Sequence, residues 1–480
     1  MPQLSCRSTS PSLRDPARVA TSALAGGTDL PHFHDWWEER ARLDQMTVSR
    51  IALNDLAGWR TDAVTGDLRH QSGRFFTVEG LDIQERGERD VHWTQPVIRQ
   101  PEIGTLGILV KEIDGILHCL MQAKNEPGNV NGLQLSPTVQ ATRSNYGRVH
   151  GGKAVPYIEW FQRARPYRVI SDVLQSELGG WCYRKSNRNM VVEVEGDIEP
   201  LDGFRWLTVG QIQRLLTVPD LVNMDARTVL ACLPYTGLGV TRRYAAVSAF
   251  SAALARSLDE ANAGLHTMDE MLHWITEARS RHDVATRGIP LNDVSGWKRE
   301  HDVLAHESGA FFTVMGVAVW TGNREVSHWT QPMIEPVGLG LSAFLVREFA
   351  GVLHVLVRAQ PEPGTLTVVE LGPTVQCAPG DLAAVPTLSR PHFLDAVQDA
   401  AQDRIRFDTI HSEEGGRFHH ARTRYMIVET DDLDQPELPP GYLWLTLSQL
   451  GHLLRHSHYL NVQARSLFAS LASLVGGNTP

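Results

Sequence analysis

A lysine and a glutamate two positions apart, Lys124 and Glu126, are the side chains best suited to acid–base chemistry in this sequence. Residues two apart on an extended strand face the same side, so the two groups would point into one site. A carboxylate can serve as a general base, and a lysine can donate a proton or stabilise a growing negative charge. We therefore predict Glu126 as the base and Lys124 as the donor.

Three further side chains are candidates for proton transfer. Tyr146 is the next candidate acid or base, and it would act as a donor because a phenol ordinarily titrates at about pH 10. His118 and His150 stay open. His118 matches His354 in the repeat described below and lies in an apolar run, which favours a hydrogen-bonded core histidine.

The segment after Lys124 is dense in side chains that could hydrogen-bond a polyol. These side chains belong to Asn129, Asn131, Gln134, Thr142, Arg143, Ser144 and Asn145. The alternative is a polar loop between strands, because Gly, Asn and Pro favour turns for backbone reasons alone.

The chain contains one long internal repeat, whose two copies lie about 237 residues apart. The matched segments, in the same order in both copies, are LNDLAGW and LNDVSGW, SGRFFTV and SGAFFTV, HWTQP twice, EPG twice, PTVQ twice, and FRWLTVGQI and YLWLTLSQL. Two copies are too few for a solenoid. We therefore predict two similar domains packed as a pseudo-dimer. Their bounds are a disordered tail over 1–29, a first repeat over 30–233, a linker with an Ala-rich helix over 234–265, and a second repeat over 266–475.

The same order of elements is predicted for each repeat. Each opens with a Trp-bearing segment in which apolar residues recur every three or four positions, which predicts a helix. Short runs rich in Ile, Leu, Val and Phe, such as TLGILVKEIDG and GILHCLMQAK, then predict strands. Each repeat closes with a helix whose Thr and following Gln have the spacing of a capping box. Strands followed by helices indicate an α+β fold, occurring twice.

The two copies differ most in the segment after HWTQP. Lys124, Asn129, Asn131, Gln134 and Ser136 are replaced by a less polar set, namely Gln360, Thr365, Thr367, Glu370 and Gly372. The polar stretch 142–146 has no counterpart. We therefore predict that the first repeat carries the chemistry and that the second is a degenerate partner. The glutamate of EPG is kept as Glu362, which leaves a structural role open for Glu126.

The composition narrows the class of protein. At about 150 residues per domain, 480 residues indicate two to three domains. A formal net charge of -10 argues against a nucleic-acid-binding protein. Five cysteines without a CxxC pair argue against a disulfide framework or a structural zinc site, and favour a reducing cytoplasm. No apolar run is long enough to span a membrane, and the N-terminus lacks the apolar core of a secretory signal.

These motifs together resemble the NDP-hexose 2,3-dehydratase family of deoxysugar biosynthesis. The resemblance rests on the sequence from HWTQP at His92 to TRSNY at Tyr146, on the second HWTQP half, and on the order of the repeats, over about 30–475. It implies a homodimer of subunits with two tandem Nudix-like domains. The acidic magnesium-binding helix of true Nudix hydrolases has no match here, so metal-dependent pyrophosphate cleavage is not expected.

The resemblance also implies the reaction. The substrate would be dTDP-4-keto-6-deoxy-D-glucose, which loses its C3 proton and its C2 hydroxyl. The resulting enol relaxes to a 3,4-diketo-2,6-dideoxy sugar, which a separate ketoreductase intercepts on the way to a secondary metabolite. The C4 ketone acidifies the C3 proton, so the elimination needs a base, an acid and a donor to the C4 oxygen, with no redox cofactor and no metal.

Candidate nucleotide contacts follow from the same resemblance. Trp59 and Trp297 could stack on thymine, or could be core residues shared by both repeats. Thr142, Arg143, Ser144 and Asn145 offer donors suited to a pyrophosphate. In the second repeat, Arg390 and His392 form a smaller cationic patch where a second, non-catalytic nucleotide could bind. The WTQP residues are expected to be scaffold, with Gln95 a sugar ligand if they are functional.

Two other classes of function stay open at this point. One is a sugar-nucleotide binding protein without turnover, and the other is a Nudix-type hydrolase.

Overall fold

The computed structural model describes residues 15–25, 30–86, 90–142, 154–162, 168–244, 247–300, 302–322, 326–385, 388–431 and 438–476. Up to the end of the first repeat, the helices are α1 (Asp15–Leu24), α2 (Pro31–Leu43), α3 (Glu159–Gln162), α4 (Val209–Leu215) and α5 (Met224–Leu230). The strands are β1 (Met46–Ile51), β2 (Trp59–Thr61), β3 (Leu68–His70), β4 (Thr77–Arg86), β5 (Val91–Arg99), β6 (Gly104–Ile113), β7 (Ile116–Asn125), β8 (Leu133–Ser136), β9 (Val139–Ala141), β10 (Arg168–Ser176), β11 (Cys182–Tyr183), β12 (Ser186–Glu193) and β13 (Phe204–Thr208).

The linker and the second repeat follow the same order. The helices are α6 (Ala249–Leu258), α7 (Met268–Arg281), α8 (Pro379–Ala384), α9 (Leu394–Gln398), α10 (Leu447–Leu453) and α11 (Val462–Ser473). The strands are β14 (Asp283–Ile289), β15 (Trp297–Arg299), β16 (Val303–His306), β17 (Phe312–Thr321), β18 (His328–Pro336), β19 (Gly340–Phe349), β20 (Val352–Pro361), β21 (Val369–Gly372), β22 (Val375–Cys377), β23 (Ile405–Ser412), β24 (Arg422–Glu429) and β25 (Tyr442–Thr446). Mixed sheets with helices confirm the predicted α+β class.

Each repeat contains a seven-stranded mixed sheet of identical topology. The first has the order β10-β12-β6-β7-β13, with β8 on β7 and β9 on β6, and the second has the order β23-β24-β19-β20-β25, with β21 on β20 and β22 on β19. The central pairs β6·β12 and β19·β24 are parallel. Lys124 and Glu126 lie at and just beyond the end of β7, so the mixed sheet fixes the position of the predicted site.

The two repeats exchange their first strands. Strand β1 of the first repeat pairs antiparallel with β17 of the second, with Met46 opposite Thr321. In return, β14 of the second repeat pairs antiparallel with β4 of the first, with Asp283 opposite Arg86. Neither of these two smaller sheets is therefore built from one repeat alone.

The largest hydrophobic core is shared by both repeats. It combines inner faces of the two mixed sheets with the helices that cover them, and includes Ile108, Leu135, Val355, Leu371 and Phe468. A second core joins the two smaller sheets through Leu68, Val78, Val314 and Phe418. Contiguous burial across the repeats agrees with the predicted packing as a pseudo-dimer.

Two buried arginines connect the repeats where α5 and α11 meet. Arg227 donates to the Ser412 carbonyl oxygen of the second repeat at 3.0 Å, and Arg465 donates to the Ser176 carbonyl oxygen of the first at 2.6 Å. Each arginine also donates to a carbonyl just before its own helix, so the guanidinium groups are held by oxygen acceptors on both sides.

The segment expected to be a disordered tail contains a helix. Helix α1 buries Val19 and Ala20, and the Ser22 hydroxyl accepts a hydrogen bond of 2.8 Å from the Val209 backbone N–H. The prediction of disorder over 1–29 is therefore wrong for Asp15–Leu24. The sequence pattern was missed because a ten-residue helix becomes stable through tertiary packing of one apolar face, not through its own propensity.

The capping boxes predicted for the closing helices are present. Thr208 and Gln211 exchange both hydrogen bonds at the start of α4, and Thr446 and Gln449 do the same at the start of α10. The linker contains the predicted Ala-rich helix as α6. Among the helices of the described residues, none has the length and apolar character needed to cross a membrane.

Candidate active site

The EPG motif of each repeat meets a loop of the other repeat. We call residues 413–421 the second-repeat loop and residues 177–185 the first-repeat loop. Gly128 donates its N–H to the Gly415 carbonyl oxygen at 2.7 Å, and Gly364 donates to the Gly179 carbonyl oxygen at 3.0 Å. A Cβ on Gly128 would lie 1.8 Å from the Phe418 carbonyl oxygen. The glycine of EPG is therefore required for this close approach.

Lys124 and Glu126 come together at the end of β7, as their spacing predicted. The Lys124 ammonium lies 3.3 Å from Glu126 Oε1, and the Gln140 side-chain amide donates to the same oxygen at 2.9 Å. The side-chain oxygen Oε1 of Gln140 accepts a hydrogen bond from Asn223 Nδ2 at 3.1 Å. Glu126 is 6% exposed, so this carboxyl sits in a largely water-free site.

The equivalent site of the second repeat has the glutamate without the lysine. Glu362 accepts hydrogen bonds from Gln376 Nε2 at 2.9 Å, from Asn461 Nδ2 at 3.0 Å and from the Gly179 N–H at 3.1 Å. Gln360 stands in place of Lys124. Three neutral donors therefore fix Glu362, which gives it a scaffolding role in the second repeat.

A second carboxyl cluster lies beside Glu126 and is built from both repeats. Arg417 of the second-repeat loop donates from Nη2 to Glu177 Oε2 at 2.6 Å, from Nε to Glu414 Oε2 at 3.1 Å, and from Nη1 to Gln100 Oε1 at 3.1 Å. The backbone N–H groups of Gly416 and Arg417 donate to Glu414 at 2.8 and 3.1 Å. Burial raises the pKa of Glu414, while the Arg417 guanidinium opposes that rise.

Asp225 is the most strongly perturbed carboxyl near this cluster. It lies in the first turn of α5, is 3% exposed, and its Oδ1 has no hydrogen-bond partner among the residues that the structure describes. Burial raises the pKa of Asp225 well above its usual range, and the nearby carboxyls Glu177, Glu414 and Glu126 raise it further. Both effects favour the protonated form of the carboxyl, which is the form that can donate a proton.

Lys185 is a buried amine in the same region. Its ammonium donates to the Glu102 carbonyl oxygen, and its side chain is almost fully enclosed. Burial lowers the pKa of Lys185 to about 8, and the Arg417 guanidinium lowers it as well. The position corresponds to Ala421 in the second repeat, so this lysine belongs only to the first-repeat site.

A surface groove opens beside Lys124. Its volume is about 510 Å³, and its lining includes Arg40, Gln122, Lys124, Asp202 and Thr321. Arg40 pairs with Asp202 at 2.7 Å across the groove. Lys124 therefore connects the buried glutamate to a space that solvent and a small ligand can reach.

The predicted sugar ligands on the β7–β8 loop make contacts within the protein. Asn129 donates to the Gly132 carbonyl oxygen at 2.8 Å, and Asn131 donates to the Asp220 carbonyl oxygen at 2.9 Å. Gln134 is fully buried and donates to Asn131 Oδ1 at 3.1 Å and to Ser412 Oγ at 2.8 Å. All three lie near Glu126 along the chain, and their contact with a sugar stays a prediction.

Trp59, Trp297 and Gln95 lie in the smaller sheets, apart from the Lys124–Glu126 pair. The Trp59 indole N–H donates to the Thr330 carbonyl oxygen at 2.9 Å, and Trp297 donates to the Thr94 carbonyl oxygen at 3.2 Å. Gln95 donates to the Gly180 carbonyl oxygen at 2.7 Å, while its counterpart Gln331 holds Gly416 in the same way. The tryptophan contacts join strands of opposite repeats, and the glutamine contacts join a strand to a loop of the same repeat. A ligand role for these side chains stays a prediction.

The remaining candidates lie at the surface or outside the described residues. Arg390 and His392 are exposed; Arg390 pairs with Asp395, and His392 meets the Tyr442 ring edge-on. Thr142 is half-buried just after β9. His118 is half-buried and donates from Nδ1 to the Ile116 carbonyl oxygen at 2.9 Å. The candidates outside the described residues are Arg143, Ser144, Asn145, Tyr146 and His150.

Three functional candidates were missed by sequence reasoning, namely Asp225, Glu414 and Arg417. All three differ between the copies, where their counterparts are Gln463, Leu178 and Trp181. The comparison that selected Lys124 would have found them if it had been extended beyond the segment after HWTQP. Within the described residues, no group of three or more His, Cys, Asp or Glu side chains is arranged to hold a metal ion.

Comparison with known proteins agrees with the internal repeat. The family model for NDP-hexose 2,3-dehydratase matches residues 30–233 and again residues 268–471. A dTDP-4-dehydro-6-deoxy-alpha-D-glucopyranose 2,3-dehydratase of Amycolatopsis orientalis is 50% identical over 91% of this chain and 88% of its own length. Proteins of the same description from Saccharopolyspora spinosa and Streptomyces violaceoruber are 47% and 46% identical, over 95% and 93% of this chain and 94% and 98% of theirs. The chain therefore belongs to the NDP-hexose 2,3-dehydratase family.

Proposed function

We propose that this chain removes water across C2 and C3 of dTDP-4-keto-6-deoxy-D-glucose and yields dTDP-3,4-diketo-2,6-dideoxy-D-glucose. The observation that carries the proposal is the ion pair of Lys124 with the buried Glu126, at 3.3 Å; the second repeat keeps the glutamate as Glu362 but has Gln360 in place of the lysine. The descriptions of the three relatives name this substrate and this reaction. A diketo product of this kind would feed 2-deoxysugar biosynthesis for a secondary metabolite.

The reaction divides into three proton movements. A base removes the proton at C3, which the neighbouring C4 ketone acidifies, and the electron pair expels the C2 hydroxyl as water once it is protonated. The C2–C3 double bond then carries the C3 hydroxyl as an enol, which gains a proton at C2 and becomes the second ketone. The site must therefore supply a base, an acid and a donor to the C4 oxygen.

Side chains of the first repeat suit these three roles. Glu126 is the base, and Lys124 stabilises the negative charge that grows on the C4 oxygen. Asp225 is the acid for the leaving hydroxyl, because burial raises its pKa and so favours the protonated form. Tyr146 is the alternative acid, as a phenol donates without ionising.

The same proposal extends to binding. Asn129, Asn131, Gln134 and Gln95 are candidates for the sugar, and Trp59 or Trp297 for the thymine ring. The pyrophosphate would be held by Thr142, Arg143, Ser144 and Asn145, with Arg390 and His392 offering a weaker anion site on the second repeat. The groove beside Lys124 has a volume of about 510 Å³, which is large enough to admit a hexose.

Finer features of the family belong to the proposal as well. We propose that each repeat has a Nudix-like fold, that the chain forms a homodimer, and that a 3-ketoreductase consumes the reactive diketone. The four cysteines in the described part of the chain are free, which supports a reducing cytoplasm. The assigned residues route no step through a cofactor or a metal.

Incubation of the purified chain with dTDP-4-keto-6-deoxy-D-glucose in deuterated water tests the function. We expect loss of hydrogen from C3 to solvent and a diketone that a ketoreductase converts to a stable alcohol. Release of dTMP and a sugar phosphate would instead identify a hydrolase, and tight binding without change would identify a binding protein. Either result would overturn the proposal.

The variants Lys124→Ala and Glu126→Ala separate the roles within that assay. Glu126→Ala should abolish C3 exchange together with elimination, because no other base is assigned. Lys124→Ala should slow both by about 100-fold or more, as expected when a donor to a growing oxyanion is lost. Unaltered turnover in both variants would refute the assignment.

A further inference from the structure

We infer that Arg417, contributed by the second repeat, is a positioning residue for the carboxyl groups of the first-repeat site, so that the second repeat completes the active site. The inference rests on the proposed function of Glu126. Arg417 belongs to the second-repeat loop, yet two of its three side-chain partners, Glu177 and Gln100, belong to the first repeat. The side chain of Arg417 is nine-tenths buried.

The second-repeat loop carries this arrangement, and the first-repeat loop has other residues at the equivalent positions. At the equivalent positions of the first-repeat loop, Leu178 and Trp181 replace Glu414 and Arg417. Trp181 packs on Phe418 at 5.0 Å in an apolar core, so the reciprocal contact near Glu362 contains no guanidinium at these positions. A purely architectural device would be expected in both halves of a pseudo-symmetric chain. Its restriction to the side of Lys124 points to a role in the chemistry.

The loop that carries Arg417 covers Glu126 directly. A Cβ on Gly415 would lie 3.0 Å from Glu126 Cβ, and one on Gly416 would lie 3.6 Å from Glu126 Oε1. Glu414 ties this part of the loop by accepting from the N–H groups of Gly416 and Arg417. Arg417 in turn ties Glu414 to Glu177 through one guanidinium. Its loss would therefore release both the loop and the two carboxylates that face Glu126.

The charges around Arg417 explain what its position does. Four buried carboxyls act on one another here, those of Glu126, Glu177, Glu414 and Asp225, and the cations facing them are Arg417, Lys124 and Lys185. The buried thiol of Cys182 also faces Arg417. Arg417 pairs with Glu177 and Glu414 at once, at 2.6 and 3.1 Å, and its positive charge opposes the rise that burial causes in the pKa of Glu414. An opposite charge this close lowers a carboxyl pKa by about 1–3 units.

The variants Arg417→Gln and Arg417→Lys test the inference through the pH profile of kcat/KM. Arg417→Gln should lower kcat about 10- to 100-fold with little change in KM, because the reacting groups are displaced. Its acidic limb should move to higher pH by about one unit or more, since the carboxyls lose their cation. Arg417→Lys keeps the positive charge. Its kcat/KM should fall on the acidic side at the same pH as in the wild type, while kcat is partly lost. The double variant Glu414→Gln with Arg417→Gln removes one charge of each sign and should return the limb towards the wild type.

Arg465→Gln is the matched control. Arg465 is buried at 1% exposure and donates hydrogen bonds to hydroxyl and carbonyl oxygens, whereas its interaction with Glu177 is electrostatic at longer range. Its loss should lower stability and should move the acidic limb less than Arg417→Gln does, because no hydrogen bond from Arg465 to a carboxylate is lost. A folded Arg417→Gln protein with a pH profile that superimposes on the wild type would overturn the inference.

A readout without turnover separates this inference from the proposed function. If the wild-type chain fails to act on the keto sugar, the proposed function fails, and unfolding by urea at several pH values still tests Arg417. In Arg417→Gln a buried carboxyl holds its proton to higher pH in the folded state than in the unfolded state, so its stability should fall relative to the wild type as pH rises above about 4.5. An equal pH dependence in both proteins would show that Arg417 has no influence on these carboxyls.

Discussion

The substitution Glu126→Gln, paired with Glu362→Gln, is the sharpest test of which repeat performs the chemistry. The two glutamates are equivalent in the fold, equally buried at 6% and 7% exposure, and each receives an amide hydrogen bond of 2.9 Å from the glutamine fourteen residues later. Their neighbours differ, since Lys124 stands beside Glu126 and Gln360 beside Glu362. The carboxyls and the guanidinium near Glu126 are replaced as well, because the counterparts of Asp225, Glu414 and Arg417 are Gln463, Leu178 and Trp181. Only Glu126→Gln should stop the reaction.

The expected magnitudes follow from these contacts. In Glu362→Gln the new NH2 group meets an existing donor whichever oxygen it replaces, because Oε1 accepts from two side-chain amides and Oε2 from the Gly179 N–H. In Glu126→Gln the new NH2 group meets the Lys124 ammonium and the Gln140 amide only if it replaces Oε1. A buried donor left without its acceptor costs about 1–3 kcal/mol, so Glu362→Gln should lose at least as much stability as Glu126→Gln. Loss of a general base lowers the rate by about 10²–10⁴, or about 3–5 kcal/mol in the barrier, and this loss should fall on Glu126→Gln alone.

The measurements are urea unfolding for stability and two rates for activity, C3 hydrogen exchange in deuterated water and formation of the trapped diketone. Glu362→Gln controls for the effect of removing a buried carboxylate from this fold. Equal loss of exchange in both variants, or full exchange in Glu126→Gln, would refute the assignment of the base to the first repeat.

Three other outcomes follow from the structure. Asp225→Asn should retain C3 exchange while slowing formation of the trapped diketone by about 100-fold or more, because the base remains and the acid is lost; equal retention of both rates would exclude Asp225 as the acid. Lys185 has a pKa lowered to about 8, so between pH 8 and its ordinary value the unfolded state binds the extra proton and wild-type stability rises with pH. The difference in unfolding free energy between the wild type and Lys185→Met should therefore change by about 3 kcal/mol from pH 7 to pH 11 in favour of the wild type, measured by urea titration, and a constant difference would contradict the burial of a neutral amine. Gly128→Ala and Gly364→Ala should each lower stability by about 1–3 kcal/mol through a clash with a carbonyl of the opposite loop, and only Gly128→Ala should also lower kcat; steady-state assays and urea unfolding of both proteins check this.

Local sequence features predicted the elements but not their partners. Capping boxes at Thr208 and Thr446 and the apolar runs of β6 and β7 mark single elements, because helices and strands obey short periodicities. The exchange of β1 and β14 left no such mark. Strand pairing depends on contacts between residues more than two hundred positions apart, for which one sequence contains no local signal.

The candidate site was predictable where chemistry lies close together in the chain. Lys124 and Glu126 share one strand end, so their spacing alone predicted their contact. Arg417 and Glu177 meet from different repeats, and Asp225 is brought to the cluster by the helix that Asn223 caps. Only the fold brings these residues together, although their replacement in the other copy was visible in the sequence.

The exchanged strands mean that the linker is not a place where this molecule can be divided. A gene cut there would encode two fragments, each carrying a strand that belongs to its sibling and each exposing a bare row of N–H and C=O groups along β4 or β17. Such edges recruit whatever extended chain is nearest, and a second copy of the same fragment is the closest fit. Truncated variants intended to isolate the catalytic half would therefore report on a new assembly, with Arg417 and its loop missing from it.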